Sequence, residues 1–133
     1  MVVAIPVSKD GTIFHNAGYA PYFAIYNTNG KAKTRIKMVK NPRAADVPPE
    51  CTQDTACSCS PEMIQTPEHV LAHYYLVEIL HECDIVLVKF ICDHTRRVFD
   101  YVGIQTYKIP PIIRDERHAI NNFILGSHYE THL

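Results

Sequence analysis

Hydrophobic and polar positions follow two different rhythms along this 133-residue chain. In the first forty residues, short apolar runs are broken by turn chemistry. Val2–Val7, VVAIPV, predicts a strand, and Ser8-Lys9-Asp10-Gly11 predicts a turn. A polar loop follows, carrying His15 and Gly18, a residue able to turn the backbone sharply. Pro21 to Tyr26, PYFAIY, then predicts a second strand rich in aromatic residues. Asn27-Thr28-Asn29-Gly30 is a hairpin signal, because Asn and Gly tolerate the positive φ of tight turns. A third strand is expected from Lys31 to Lys40, completing an antiparallel meander.

From Asn41 to Thr66 the pattern is lost: Pro42, Pro48, Pro49 and Pro61 interrupt it, and Cys51, Cys57 and Cys59 lie within it. Loops of this length are usually functional or disordered. Thr66-Pro67 suits a helix start, and Ala72, Leu76, Ile79, Leu80 and Cys83 then share one helical face. Asp84 to Ile91, DIVLVKFI, is the near-continuous apolar run of a strand covered on both faces. A short helix over 94–101, a strand over 104–109 and a helix over 115–125 stopped by Gly126 complete the chain. Helices alternating with strands imply parallel pairing. The expected architecture is α/β and three-layered: a mixed five-stranded sheet, antiparallel meander then parallel units, with helices on both faces. One domain over 1–126 is expected, with the cysteine-bearing loop at 41–66 and a tail at 127–133.

Composition narrows the function classes. A hydrophobic fraction of 47%, a charged fraction of 20% and a net charge of −1 are ordinary for a globular domain and recruit neither nucleic acid nor membrane. No apolar run approaches the roughly 20 residues that span a bilayer, and the N-terminus lacks a secretory pattern, so a reducing cytoplasm is the expected setting. Five cysteines there read as thiols or metal ligands more readily than as disulfides.

Several segments together resemble one family. Ile5-Pro6-Val7, the loop His15-Asn16-Ala17-Gly18, the run Ala20 to Tyr26 and GIQTYKI at Gly103–Ile109 are similar to the dinitrogenase iron–molybdenum cofactor family, the NifX-like and NifB C-terminal-like domains. The resemblance implies a ribonuclease H-like fold and a non-enzymatic carrier that holds a metal–sulfur cluster between donor and acceptor proteins. It also implies that His15, in the first loop, takes part in cluster binding, with Gly18 beside it. Three places depart from the family pattern. Asn16-Ala17 stand where Phe is common, Glu68-His69 lacks a following glycine, and Cys92-Asp93-His94 replaces a glycine turn.

The residues themselves supply further candidates. Imidazole binds borderline metals, and a loop between strands leaves His15 open to a large ligand, or simply bonded to backbone. Cys51, Cys57 and Cys59 offer three soft donors, and Cys92 follows a parallel strand, where ligands of open α/β sheets collect. Thiolates suit iron–sulfur species, zinc or copper(I), although the usual paired zinc and ferredoxin spacings are absent. His69 and His73 stand one helical turn apart, near a helix start that favours anions, and His94 adjoins Cys92. Lys31, Lys33, Arg35 and Lys37 alternate, so all four are expected on one face of the third strand, attracting an anionic cofactor or guarding a sheet edge. No carboxylate lies in the first strand and no Walker loop or G-x-S-x-G elbow is present, which disfavours a nuclease or hydrolase. The expected function is binding and transfer of an iron–molybdenum-type or precursor cluster. The alternatives are a zinc or iron–sulfur centre using the cysteines, or a metal-free module that meets an acidic partner.

Overall fold

The computed structural model describes residues 1–29, 32–42 and 74–126. Its scaffold is a five-stranded mixed sheet in the order β3-β2-β1-β4-β5. β1 (Val2–Val7) lies at the centre, antiparallel to β2 (Tyr22–Asn29) and parallel to β4 (Ile85–Val88). β3 (Ala32–Lys40) pairs antiparallel with β2 and forms one edge; β5 (Gln105–Lys108) pairs parallel with β4 and forms the other. Residues 74–79 are helical (α1), followed by α2 (Asp93–Val102) and α3 (Glu116–Leu125). The meander followed by parallel strands is the expected order. No described helix is long and apolar enough to cross a membrane.

Burial explains the pattern of each strand. β1 and β4 are covered on both faces, so β-branched residues fill every position from Val3 and Ile85 onward, save Ala4, Pro6 and Leu87. One face carries Ala4, Phe23, Ile25, Val86 and Val88 under Leu76 of α1, Leu80 of the turn that follows it and Phe99 of α2. The other carries Val3, Ile5, Ala24, Tyr26 and Leu87 under Ala119 and Ile120 from α3. Fully buried side chains such as Leu80 and Phe99 each contribute about 1.5–3 kcal/mol relative to exposure.

Element ends follow local chemistry. At the Ser8 turn, Gly11 takes φ +91°, its N–H donates to Ser8 O at 3.0 Å, and Asp10 Oδ1 accepts from Thr12 N at 3.0 Å. Gly103 ends α2 in the left-handed region, and Asp115 caps α3 by accepting from His118 N.

Four expectations need correction. β2 runs on to Asn29, because Asn27, Thr28 and Asn29 pair with Thr34, Lys33 and Ala32 rather than turning; residues 30–31 lie outside the described set. β4 ends at Val88, since its pairing with β1 stops at Val86 and its pairing with β5 at Val88, and 89–92 leave the sheet. The helical conformation that begins the core stripe stops at Ile79, and Leu80 reaches Cys83 through a turn. The alternation of cations on β3 is broken by a bulge. Arg35 pairs with Tyr26 and Lys37 with Ile25, leaving Ile36 as the extra residue. Lys33 and Arg35 therefore share the α3 face with Tyr26, whereas Lys37 moves to the face of Ile25.

Candidate functional site

The loop after β1 and the segment after β4 leave the same end of the sheet and are joined by main chain. Phe90 N donates to His15 O at 3.1 Å, and Ala17 N donates to Phe90 O at 3.0 Å. Asn16 and Phe90 thus form an isolated parallel bridge. On this frame the His15 imidazole stacks on the Phe90 ring, with centroids 5.9 Å apart and planes inclined by 5°. The half-buried imidazole is thereby held at the rim rather than left on a mobile loop.

Asn16 sets the shape of the loop. Its side chain is buried, and Oδ1 accepts from Gly18 N at 3.2 Å, opening the 3₁₀ turn Ala17–Tyr19. Asn41 closes the loop from the end of β3, its Nδ2 donating to Gly18 O at 3.2 Å and Ala20 O at 2.9 Å. Gly18 does not make the sharp turn expected of it. Gly11 and Gly103 are the described glycines with positive φ, and Gly18 is buried within the 3₁₀ turn.

Cys92 is the residue preceding α2, four positions beyond the end of β4. Its Sγ lies 3.1 Å from Thr95 Oγ1, an O–H/S–H pair in which either atom can donate. At 6% exposure the thiol sits behind the rim, while His94, in the first turn of α2, is half-buried. Among the described residues no group of three or more His, Cys, Asp or Glu is arranged to hold a metal ion.

Arg35 belongs elsewhere. Its Nε lies 3.2 Å from Glu116 Oε1 on the face covered by α3, which removes it from the His15 rim. Cys51, Cys57, Cys59, His69 and His73 lie outside the described residues, as does the cluster-binding expectation placed on them.

Comparison with known proteins identifies the family. The profile described as dinitrogenase iron-molybdenum cofactor matches residues 1–125, nearly the whole chain. The chain belongs to the dinitrogenase iron–molybdenum cofactor family. No curated protein matches it by sequence. Solved structures share the family's fold at low identity. The apo form of the orange protein from Desulfovibrio gigas is similar at 12% identity, covering 98% of this chain and 92% of that one, with a TM-score of 0.65. A provisionally assigned dinitrogenase from Methanocaldococcus jannaschii is 17% identical, covering 95% and 89%, with a TM-score of 0.60. A provisionally assigned NifB protein from Thermotoga is 20% identical, covering 99% and 95%, with a TM-score of 0.58.

Within this family member, the sequence brought out His15 and Cys92 but missed Asn16, Asn41 and Phe90, which build the frame. Phe90 was hidden inside an apolar run that reads as strand interior. The signal for Asn16 was its place between a histidine and an Ala-Gly pair, where an amide suits a capping role.

Proposed function

We propose that this family member is a non-enzymatic carrier that binds a preformed metal–sulfur cluster of iron–molybdenum type at the rim formed by the His15 loop and the segment from Phe90 to His94. The observation that supports this reading best is the pair of main-chain bonds between His15–Ala17 and Phe90, with the imidazole stacked on the ring. These contacts pre-orient a metal-binding nitrogen at the carboxyl end of parallel strands, where open sheets bind ligands. His15 supplies the exchangeable bond. Cys92 offers a second bond once its contact with Thr95 opens, and the start of α2 contributes positive potential toward an anionic cargo. Few ligands suit a carrier, because tight coordination would prevent transfer to an acceptor protein.

The test is anaerobic reconstitution of the full chain with iron, sulfide and molybdate, read by metal content and charge-transfer absorption. The native chain is expected to take up a coloured cluster, His15→Ala to lose most of it, and Cys92→Ser to retain part. Equal uptake and spectra for native chain and His15→Ala would remove the imidazole from the site. Stoichiometric zinc that is unaffected by His15→Ala and lost in the combined Cys51→Ser, Cys57→Ser and Cys59→Ser variant would replace the carrier reading by a thiol-ligated centre.

A further inference from the structure

A hollow of about 320 Å³ opens on the face covered by α3. It is bounded by the turn after β1, by Arg35 and Met38 of β3, and by the start of α3, and it contains none of the rim residues. Glu116 forms its buried base: the side chain is 8% exposed, and Oε1 accepts from the Tyr26 hydroxyl at 2.6 Å and faces Arg35 Nε at 3.2 Å. Gly11 forms a tight wall, because a β-carbon there would lie 3.2 Å from Glu116 Oε2 and would have to displace it.

The charges around this hollow are unequally satisfied. Each carboxylate already has a structural partner: Glu116 has Tyr26 and Arg35, Asp10 accepts from Thr12 N, and Asp115 accepts from His118 N. Among the described residues, Lys9 and Arg117 make no ion pair, and Arg35 is engaged through Nε alone. A carboxylate that holds Nε of an arginine leaves the two outer nitrogens to bind a planar or tetrahedral anion. Three cations from three separate elements thus line one concave space beside three carboxylates, with N–H donors to spare on Lys9, Arg117 and the outer nitrogens of Arg35. The volume lies at the lower end of the range for small-molecule sites.

The geometry points to a binding site for a small molecule bearing a phosphate or carboxylate group, held by Lys9, Arg35 and Arg117 and independent of the cluster rim. Arg35 and Arg117 supply directional donors and Lys9 a point charge, while Glu116 positions Arg35. The site requires no metal and no change at His15.

The test uses the metal-free full chain, titrated at low ionic strength with inorganic phosphate in one arm and succinate in the other, and followed by backbone amide NMR. Saturable shifts are expected at Lys9, Gly11, Arg35 and Arg117. Lys9→Ala and Arg117→Ala should each weaken binding by about fivefold, the scale for a partly exposed charge. Arg114→Ala, which removes a cation outside the hollow, should leave it unchanged, and so should His15→Ala. Saturation by one probe alone identifies the headgroup. Three results would overturn the site: no saturable shift with either probe, shifts spread over unrelated cations, or equal weakening by Arg114→Ala and Arg117→Ala.

Discussion

The bond between Tyr26 and Glu116 ties the edge half of the sheet to α3, and its energy can be isolated. At 2.6 Å, between a hydroxyl 5% exposed residue-wide and a carboxylate 8% exposed, it belongs to the short charge-assisted class. Hydrogen bonds to charged groups contribute about 1.5–3 kcal/mol. Tyr26→Phe keeps the ring within the apolar cluster under α3 and removes the donor, so a loss of about 2 kcal/mol is expected. Glu116→Gln removes the charge but keeps the shape, and the half-exposed Arg35 adds at most about 1 kcal/mol to that loss. If one bond dominates both losses, the double variant is less destabilised than the sum by about 1–2 kcal/mol. Urea denaturation followed by far-UV circular dichroism measures all four proteins, a suitable probe because the chain has no tryptophan. Coupling below about 0.5 kcal/mol would refute the reasoning and leave α3 docked by apolar contacts alone. Burial, then the bond to Glu116, pushes the Tyr26 hydroxyl well above its ordinary value of 10.0. The stability gained this way is complete below that value and declines as pH rises past it. Tyr26→Phe should lack that part of the alkaline decline.

Three further outcomes are expected. Gly11→Ala combines a backbone at φ +91° with a close approach to Glu116, and should cost about 1–2 kcal/mol in denaturant unfolding while Gly103→Ala, facing open space, pays only for its φ of +86°. Phe99→Ala empties a fully buried position between α2 and the sheet and should cost about 3–5 kcal/mol by the same measurement. Burial, with the nearby Asp84, pushes the Cys83 thiol from 9.0 up to about 11, so iodoacetamide labelling followed by mass spectrometry should find it slow at pH 8 and faster toward pH 11; the stability tied to this shift is present below 9 and lost over the same interval.

The sequence made the sheet legible wherever one rhythm was locally dictated. VVAIPV, PYFAIY and DIVLVKFI carry enough β-branched and aromatic residues to announce strands, and the Gly11 turn carries its own chemistry. Their ends were harder to read, because ends depend on where a neighbour stops pairing: Val88 is the last β4 residue only because β5 ends at Lys108. The β3 bulge was invisible for the same reason, as a single extra residue opposite Ile25 and Tyr26 leaves no mark in an alternating run. At the rim, His15 and Cys92 stood out by side-chain chemistry. The frame that holds them was illegible, since it consists of peptide groups and of Phe90, whose role comes from position rather than type. Glu116 and Arg35, 81 positions apart, carry no local signal of their pairing at all.

The joint between residues 15–17 and Phe90 is written in peptide groups, which every amino acid except proline possesses in full. Evolution can therefore exchange the side chains around this joint without losing the platform they stand on. Two or three side chains of the rim could change while the main-chain joint beneath them stays the same.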